Sequence, residues 1–516
     1  MKTFLAISLS CFCFISAHAA GVTVITHGLN GSVDGWVTNM AGKITGYNRF
    51  PGTNYSFYKV YFVPNGSGYN SAWLRLRGAP PSLTDSGEIF IAFDWSQLSD
   101  GNSYNTYQIA GVLDAVLRST NFIPELNGHA LCELPIHLVG HSRGGSLMCE
   151  TSRLLGTNGV WVDHLTTLDP HPLNDPNFPL DFILYDAVDA PCATYQNILF
   201  HDNYWQNSSY PINGEPVSGA YVRKLTSFSG GYSSAHSDVH LWYHGTLDLI
   251  TPTSDSEASI TATQRNSWWA TYENQGTNAG FIYSLIGNGD RTAYFPLGLP
   301  GDPIIRDGYN QYWDLGAGSL NTNRTLLSAN NGTWPDIIKL NVTGTNVVVQ
   351  NDPVGVKMYY QYGGPSNLTA QIYFDPDCNP YNSNSIPAFS LQPPATGTGT
   401  VFYYPGLGLA TTNVAPRSYA VYARISDGTH VRYLYAPETV TILSILQSPV
   451  LDIVKSGPAQ FIIGVNGVAG QKMTLQASVD LQGWSSLATN TLTTSRWTYT
   501  NSLPFARQFY RAILGQ

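Results

Sequence analysis

The sequence predicts an α/β domain with a mostly parallel sheet, followed by one or two all-β, sandwich-like modules. Three observations carry this. Between about residues 21 and 205, short β-branched and apolar runs alternate with stretches of helical periodicity. Those runs are apolar on both faces, as strands covered on both sides by helices are. After about residue 335 the helical period stops, and aromatic and β-branched runs alternate with Gly, Pro and Asn turns.

In chain order, "GVTVITHG" from Gly21 is the first strand and "EIFIAFDWS" from Glu88 the second. Ile109, Val112, Leu113, Val116 and Leu117 fall on one helix face. "IHLVG" from Ile136 is the third strand, and Leu147, Met148, Thr151, Leu154 and Leu155 mark a helix that Gly156 stops. "VWVDHLTTLDP" and "QNILFHD" supply a fourth and a fifth strand. In the second half, "NVVVQND", "VKMYYQYGG", "AQIYFD", "TVFYYPG", "YAVYARISDG" and "VRYLYAPETVTI" read as sandwich strands, and "FIIGVNGVAGQKMTLQASVD" opens a further β-rich stretch. The expected organisation is a signal peptide over 1–19, a catalytic domain over 20–335 to which the aperiodic stretch 251–335 is attached, a β-sandwich over 336–445 and a small β module over 446–516. The β modules are expected to hold cores of their own.

Composition narrows the function. The 516 residues carry a net charge of −9 and only 11% charged side chains, so no basic face recruits nucleic acid. Lys2, the apolar run from Phe4 to Ile15 and the Ala17-His18-Ala19 site predict export to a secreted or periplasmic location. That run is too short to span a bilayer, and no later segment is long and apolar enough. Cys132, Cys149, Cys192 and Cys378 remain after cleavage, without zinc-site spacing. One or two disulfides are compatible with that number, and their pairing is open.

Gly140-His141-Ser142-Arg143-Gly144 is G-x-S-x-G, with a strand before it and an amphipathic helix after it. A nucleophile elbow needs that context, with small residues where strand and helix converge. The bland alternative is a Gly-rich turn that happens to contain Ser. If Ser142 is a nucleophile, the Arg143 N–H is one oxyanion donor, and the Leu29 N–H in "THGLNG" is the best candidate for the second. Two aspartates end later strands, Asp169 in "TLDPHP" and Asp202 in "FHDNYW". The one without a catalytic role would cap a turn. "AHSDVHLWYHGT" places His236, His240 and His244 four residues apart. The spacing allows a metal reading, but the run lacks the Glu of a zinc-protease helix, so no metal and no cofactor is expected. Ser237 or Asp238 would cap a helix here and leave His236 in the preceding loop as the base, with His240 the alternate.

"HGLNGSVDGW", "FDWS", "GHSRGG" and "TLDP" together, in this order and spacing, resemble the pancreatic-type lipases, over roughly residues 21–250. The resemblance implies an α/β-hydrolase fold and a Ser-Asp-His triad. It favours Asp169 over Asp202 as the acid and His236, ahead of the aromatic pair Trp242-Tyr243, as the base. The second half resembles, more weakly, the β-sandwich extensions of secreted bacterial hydrolases.

"DPDCNPYNSN" from Asp375 sets Asp375, Asp377 and Asn379 at alternate positions, which fits a calcium loop less well than an Asx-rich turn. Aromatic residues of the tail offer surface or polysaccharide contact by stacking, against the plainer role of strand packing. The expected function is therefore a secreted serine esterase or lipase acting on an ester or lipid. The alternatives are an amidase or peptidase with the same triad, and a non-catalytic surface- or carbohydrate-binding protein on a hydrolase scaffold.

Overall fold

The computed structural model describes residues 20–44, 55–174, 185–208, 212–247 without 227 and 233, 258, 260–269, 280–284, and 333–515 without 366, 398–400, 445–447, 458–459 and 503–507. The expected signal peptide and most of the stretch 251–335 lie outside the described residues. The chain divides into two compact units. One comprises 1–346, 353–410 and 418–440; the other comprises 347–352, 411–417 and 441–516.

The first unit is built on an eight-stranded sheet of order β3-β2-β4-β1-β5-β6-β7-β8. Its strands are β1 (Val22–Thr26), β2 (Ser56–Asn65), β3 (Gly68–Arg77), β4 (Ile89–Asp94), β5 (Ile136–His141), β6 (Val162–Leu168), β7 (Ile198–Trp205) and β8 (Tyr221–Lys224). The β2–β3 hairpin pairs antiparallel; the ladders from β2 through β4, β1, β5, β6 and β7 to β8 are parallel. The strand "VTVIT" is buried on both faces. Val22 and Val24 join one core with Ile109 and Leu113 of α2 (Thr106–Arg118) and Leu147 and Met148 of α3 (Arg143–Thr157). Ile25 joins another with Val37 and Met40 of α1 (Trp36–Ile44) and Val239 and Leu241 of α4 (Ala235–Leu247). Alternation along a strand sends neighbours to opposite faces, so one apolar run serves two cores.

The expected fold class, an α/β-hydrolase fold followed by sandwich-like modules, is corrected. Strand makes up 41% of the chain and helix 19%, so it is not a helix-rich protein of that class. The eight-stranded sheet is mixed, and the other four sheets are built mainly from antiparallel ladders. The physical reason is local. Residues 336–514 are short β-branched and aromatic runs broken by turns, which pair with near neighbours and leave no length for crossover helices. A hairpin at the edge of the first sheet adds more strand.

The composition change near residue 335 does not mark a break between units. β9 (Asp336–Thr343), β11 (Val354–Gln361) and β14 (Val401–Leu409) form one sheet of the first unit. β12 (Thr369–Asp375), β13 (Ile386–Leu391), β15 (Ser418–Ser426) and most of β16 (Val431–Leu443) form another. Tyr422, Tyr433 and Tyr435 belong to the same buried cluster as Leu134, Ile136 and Cys132, so these strands do not have the separate core expected of them. Buried Arg432 donates to the carbonyls of Leu134 (2.8 Å) and Trp161 (2.7 Å) and to Asp336 (3.0 Å), and also to the Cys132 carbonyl. Asp336 in turn accepts the Trp161 N–H at 2.7 Å.

In the second unit, β10 (Val347–Val349) runs parallel to Thr441–Leu443. Two three-stranded antiparallel sheets follow. β17 (Val450–Gly457), β18 (Gln460–Asn466) and β21 (Arg496–Ser502) make one; β20 (Ser485–Thr491), β19 (Lys472–Ser478) and β22 (Phe509–Leu514) make the other. Ile463, Val465, Met473, Leu475 and Leu492 form their core.

Among the described residues, no disulfide joins Cys132, Cys149, Cys192 or Cys378. Among the described residues, no helix is long and apolar enough to cross a membrane.

Candidate active site

Ser142 sits between the end of β5 and the start of α3 with φ 58° and ψ −129°. A non-glycine residue there stores about 1–3 kcal/mol of strain, and such strain persists only where packing imposes it. Here it does. A Cβ on Gly140 would lie 2.2 Å from the Gly144 carbonyl oxygen, and one on Gly144 would lie 2.4 Å from that of His27. Strand, helix and the loop after β1 thus converge on the serine. Its N–H donates to Leu168 O at 2.9 Å, and its own carbonyl accepts from Gly145 N (2.8 Å) and His171 N (3.2 Å). The turn is therefore tied to the end of β6, where Asp169 begins the next loop.

Asp169 also has positive φ, 44°. It is fully buried, and its N–H donates to Tyr204 O at 2.7 Å. One carboxylate oxygen, Oδ1, accepts the Gln206 N–H at 2.8 Å. The other, Oδ2, accepts from Gln206 Nε2 at 2.7 Å and lies 2.6 Å from His236 Nδ1. With the carboxylate ionised it can only accept, so Nδ1 then carries the proton and Nε2 is left as the basic nitrogen. Burial pushes the Asp169 carboxyl up from its usual range, and the Gln206 hydrogen bonds oppose that. Burial, and then the nearby His171, push the His236 imidazole below its ordinary value and keep it neutral.

The structure brings Asp169 and His236 into contact and ties the Ser142 turn to the Asp169 loop through Leu168 and His171, with no hydrogen bond between Ser142 Oγ and His236; it places the alternates elsewhere. Asp202, on β7, accepts from His164 Nε2 (2.8 Å), Thr166 Oγ1 (2.6 Å) and the Tyr204 hydroxyl (2.9 Å), a network inside the sheet. His240 is buried on α4 and stacks on Trp36 with ring centroids 4.3 Å apart. His244 is likewise buried on α4. Among the described residues, no three His, Cys, Asp or Glu side chains form a group that could hold a metal ion. His236 lies in the first turn of α4, not in the loop before it, and Ser234 Oγ accepts its N–H at 3.3 Å. The expected caps, Ser237 and Asp238, lie within the helix, where Asp238 accepts the Tyr232 N–H at 2.7 Å.

The loop after β1 completes the arrangement. Trp95 Nε1 donates to His27 O at 3.1 Å, and His27 Nδ1 donates to Gly28 O at 2.8 Å. That fixes the peptides leading to Leu29. The backbone N–H groups of Leu29 and Arg143 have no hydrogen-bond partner among the described residues. The Arg143 side chain points away into the protein. It pairs with Asp189 through Nε (2.7 Å) and NH2 (2.9 Å) and lies 5.0 Å from the Trp95 ring centroid. Asp189 also accepts the N–H groups of Thr106 and Leu173, both at 2.9 Å. Sequence reasoning missed Asp189, Gln206 and His141. His141 Nε2 donates to His236 O at 2.9 Å, and burial drives its pKa down to about 3. His141 was readable as the x of the serine motif. Asp189 and Gln206 stand in no motif at all.

The oxygen-rich run at Asp375 is bonded largely within the protein, although Asp377 Oδ1 is buried without a hydrogen-bond partner among the described residues. Asp375 accepts from the Asp377 N–H at 3.2 Å and from the Tyr435 hydroxyl. Asp377 accepts the side-chain amides of Asn382 (2.8 Å) and Asn384 (2.7 Å), and Asn379 donates to the carbonyls of Pro81 and Thr84, each at 2.8 Å. It works as an Asx-rich fastener between β12 and the turn before β4.

No family model matches the chain. No curated protein shows significant similarity to it. Solved structures similar to parts of it include the CARDB domain of the PF1109 protein in complex with di-metal ions from Pyrococcus furiosus, at 12% identity over 22% of this chain and 96% of that one, TM-score 0.15. The human OSCAR ligand-binding domain matches at 14% identity over 35% and 90%, TM-score 0.16. A cytokine receptor complex matches at 10% over 34% and 88%, TM-score 0.15. At these scores the likenesses carry no argument, and the functional reading rests on the site itself.

Proposed function

We propose that the protein is a serine hydrolase of carboxylic esters that works through an acyl-enzyme. The observation that carries the reading is the 2.6 Å contact between His236 Nδ1 and Asp169, whose loop is hydrogen-bonded to a serine held in a strained strand-to-helix turn. A serine needs a base to attack a carbonyl, and a base needs a fixed tautomer. His236 Nε2 takes the Ser142 proton as Oγ attacks the ester carbonyl. The Leu29 and Arg143 N–H groups hold the oxyanion, and donors without an internal partner suit that task. His236 then protonates the leaving alcohol, and water repeats the sequence on the acyl-enzyme. Asp169 stabilises the imidazolium in both halves.

The motif likeness to pancreatic-type lipases supports ester substrates over amides, and the leader supports an exported enzyme. The test is a fluorophosphonate label alongside a panel of acyl esters of increasing chain length, each with wild type and Ser142→Ala. Labelling and hydrolysis that both vanish in Ser142→Ala are expected. Wild-type protein that neither labels nor hydrolyses any ester would leave a binding protein as the reading.

A further inference from the structure

We propose that Gln206 is a positioning residue for the triad: its side-chain amide holds Asp169 as an ionised acceptor aimed at His236. This rests on the triad reading above. Gln206 directly follows β7 and is fully buried. Its backbone N–H and side-chain Nε2 reach opposite oxygens of the Asp169 carboxylate, at 2.8 and 2.7 Å. The second of those oxygens, Oδ2, is the one that faces His236 Nδ1.

The orientation of the amide is fixed by its other end. Gln206 Oε1 accepts the Ser208 N–H at 2.6 Å and its hydroxyl at 3.1 Å, and Nε2 also donates to Ile212 O at 3.1 Å. Both hydrogens of Nε2 are used and Oε1 is capped twice, so a flipped amide would set oxygen against oxygen at Asp169. The chain from Ile212 to Gly214 closes over the carboxylate: a Cβ on Gly214 would lie 2.1 Å from Asp169 Oδ1. That contact is on the oxygen held by the backbone N–H, and leaves Oδ2 to the side-chain amide and His236.

The need for such a donor is electrostatic. A carboxylate this buried tends to take up a proton, and a protonated Asp169 no longer fixes the imidazole tautomer. The titratable groups facing it are His236 on α4, His141 at the end of β5 and His171 on its own loop. Burial holds the His141 imidazole well below its ordinary value, so it supplies little standing charge at neutral pH. The Gln206 donors are the fixed feature that favours the ionised form, and they act at every pH.

The test follows the His236 imidazole by NMR across pH in the full-length protein, with its signal assigned by loss in His236→Gln. This readout does not require turnover. Gln206→Leu and the longer Gln206→Met both delete the side-chain donor and keep the backbone one. Either variant that melts cooperatively is expected to raise the midpoint of the Asp169–His236 pair by about one pH unit, since hydrogen bonds to a charged group favour it. The acid limb of ester hydrolysis should move up by the same amount, a roughly tenfold loss on the acid side, with KM little changed. Ser208→Ala, made at an exposed position, should shift both in the same direction by less. An unmoved imidazole midpoint in the folded variants overturns the role of Gln206, even if wild type proves an active esterase. A shifted midpoint in a wild type that hydrolyses no ester would keep the positioning role and sink the esterase reading alone.

Discussion

Gly28 and Ser142 touch so closely that a Cβ on the glycine would lie 2.6 Å from the serine Cβ and 2.9 Å from its Oγ. The peptide after Gly28 therefore runs beside Ser142 Oγ, and in the proposed reaction the Leu29 N–H would receive the charge that develops there. Gly28→Ala must push either the nucleophile or the oxyanion loop aside. We expect kcat/KM to fall at least about a hundredfold, comparable to losing one oxyanion donor. Stability should change by no more than about 1–3 kcal/mol. Ester kinetics beside a thermal melt measure both, and near-native turnover in Gly28→Ala would place the oxyanion site elsewhere.

The two candidate acids separate by what each substitution leaves behind. Asp169→Asn keeps the side-chain shape but turns a pure acceptor into a group that can donate toward Nδ1, so turnover should drop by about 10⁴-fold with the fold intact. Asp202→Asn acts inside the sheet, where Oδ1 serves both His164 and Thr166. It should cost about 1–3 kcal/mol of stability and leave turnover per folded molecule nearly unchanged. The reverse ranking, read from active-site-titrated kcat, would transfer the acid role to Asp202.

The parts of the site that the sequence revealed are those whose geometry is local. The elbow needs only a strand, small residues around Ser142 and a helix, and all three lie within about twenty consecutive positions. Asp169 could be singled out only through the lipase likeness, because choosing it over Asp202 depends on which of them meets His236, a contact between distant parts of the chain. Gln206 and Asp189 were illegible for the same reason. Gln206 meets Asp169 because β6 and β7 are adjacent parallel strands that end level with one another. The β2–β3 hairpin, by contrast, is local and legible: "SFYKVYFVPNGSGYNSAWLRLRG" alternates on both sides of an Asn-Gly turn. The fold class is hard to read from the chain because the parallel strands of the first half carry strong apolar runs, whereas the many short antiparallel strands after residue 335 dominate the strand content.

The pH dependence carries a sign that can be checked. If His236 is the base, as proposed, it acts only when neutral, and activity should fall as pH drops through the midpoint at which it is protonated. In wild type that proton is shared with Asp169, and the acid limb belongs to the pair. The carboxylate draws the proton in; burial of the imidazole resists it. Asp169→Asn removes the attraction and leaves the burial. Its residual activity should therefore keep an acid limb well below pH 6.5 and at least about one unit below that of wild type. A kcat/KM profile of the two proteins settles it, and coincident limbs would show that Asp169 does not act on the base.

The last expectation concerns the strands after residue 335. Arg432 donates to Asp336 and to backbone carbonyls at the lead-in to β5 and at the residue before β6, the two strands that end at Ser142 and Asp169. A buried arginine that loses its place leaves Asp336 without its cation and several carbonyls without donors, at a cost of about 3–5 kcal/mol. Arg432→Met should therefore lower the melting midpoint of the unit that contains the triad. A chain ending near residue 335 should fail to melt cooperatively and should lose activity on a small ester. A chain ending near residue 444 removes only strands that belong to the second unit, and should keep both the melt and the small-ester activity. Expression of the two truncations, followed by calorimetry and an ester assay, separates the cases. A folded, active chain ending near residue 335 would show that β9 to β16 decorate the catalytic unit without supporting it.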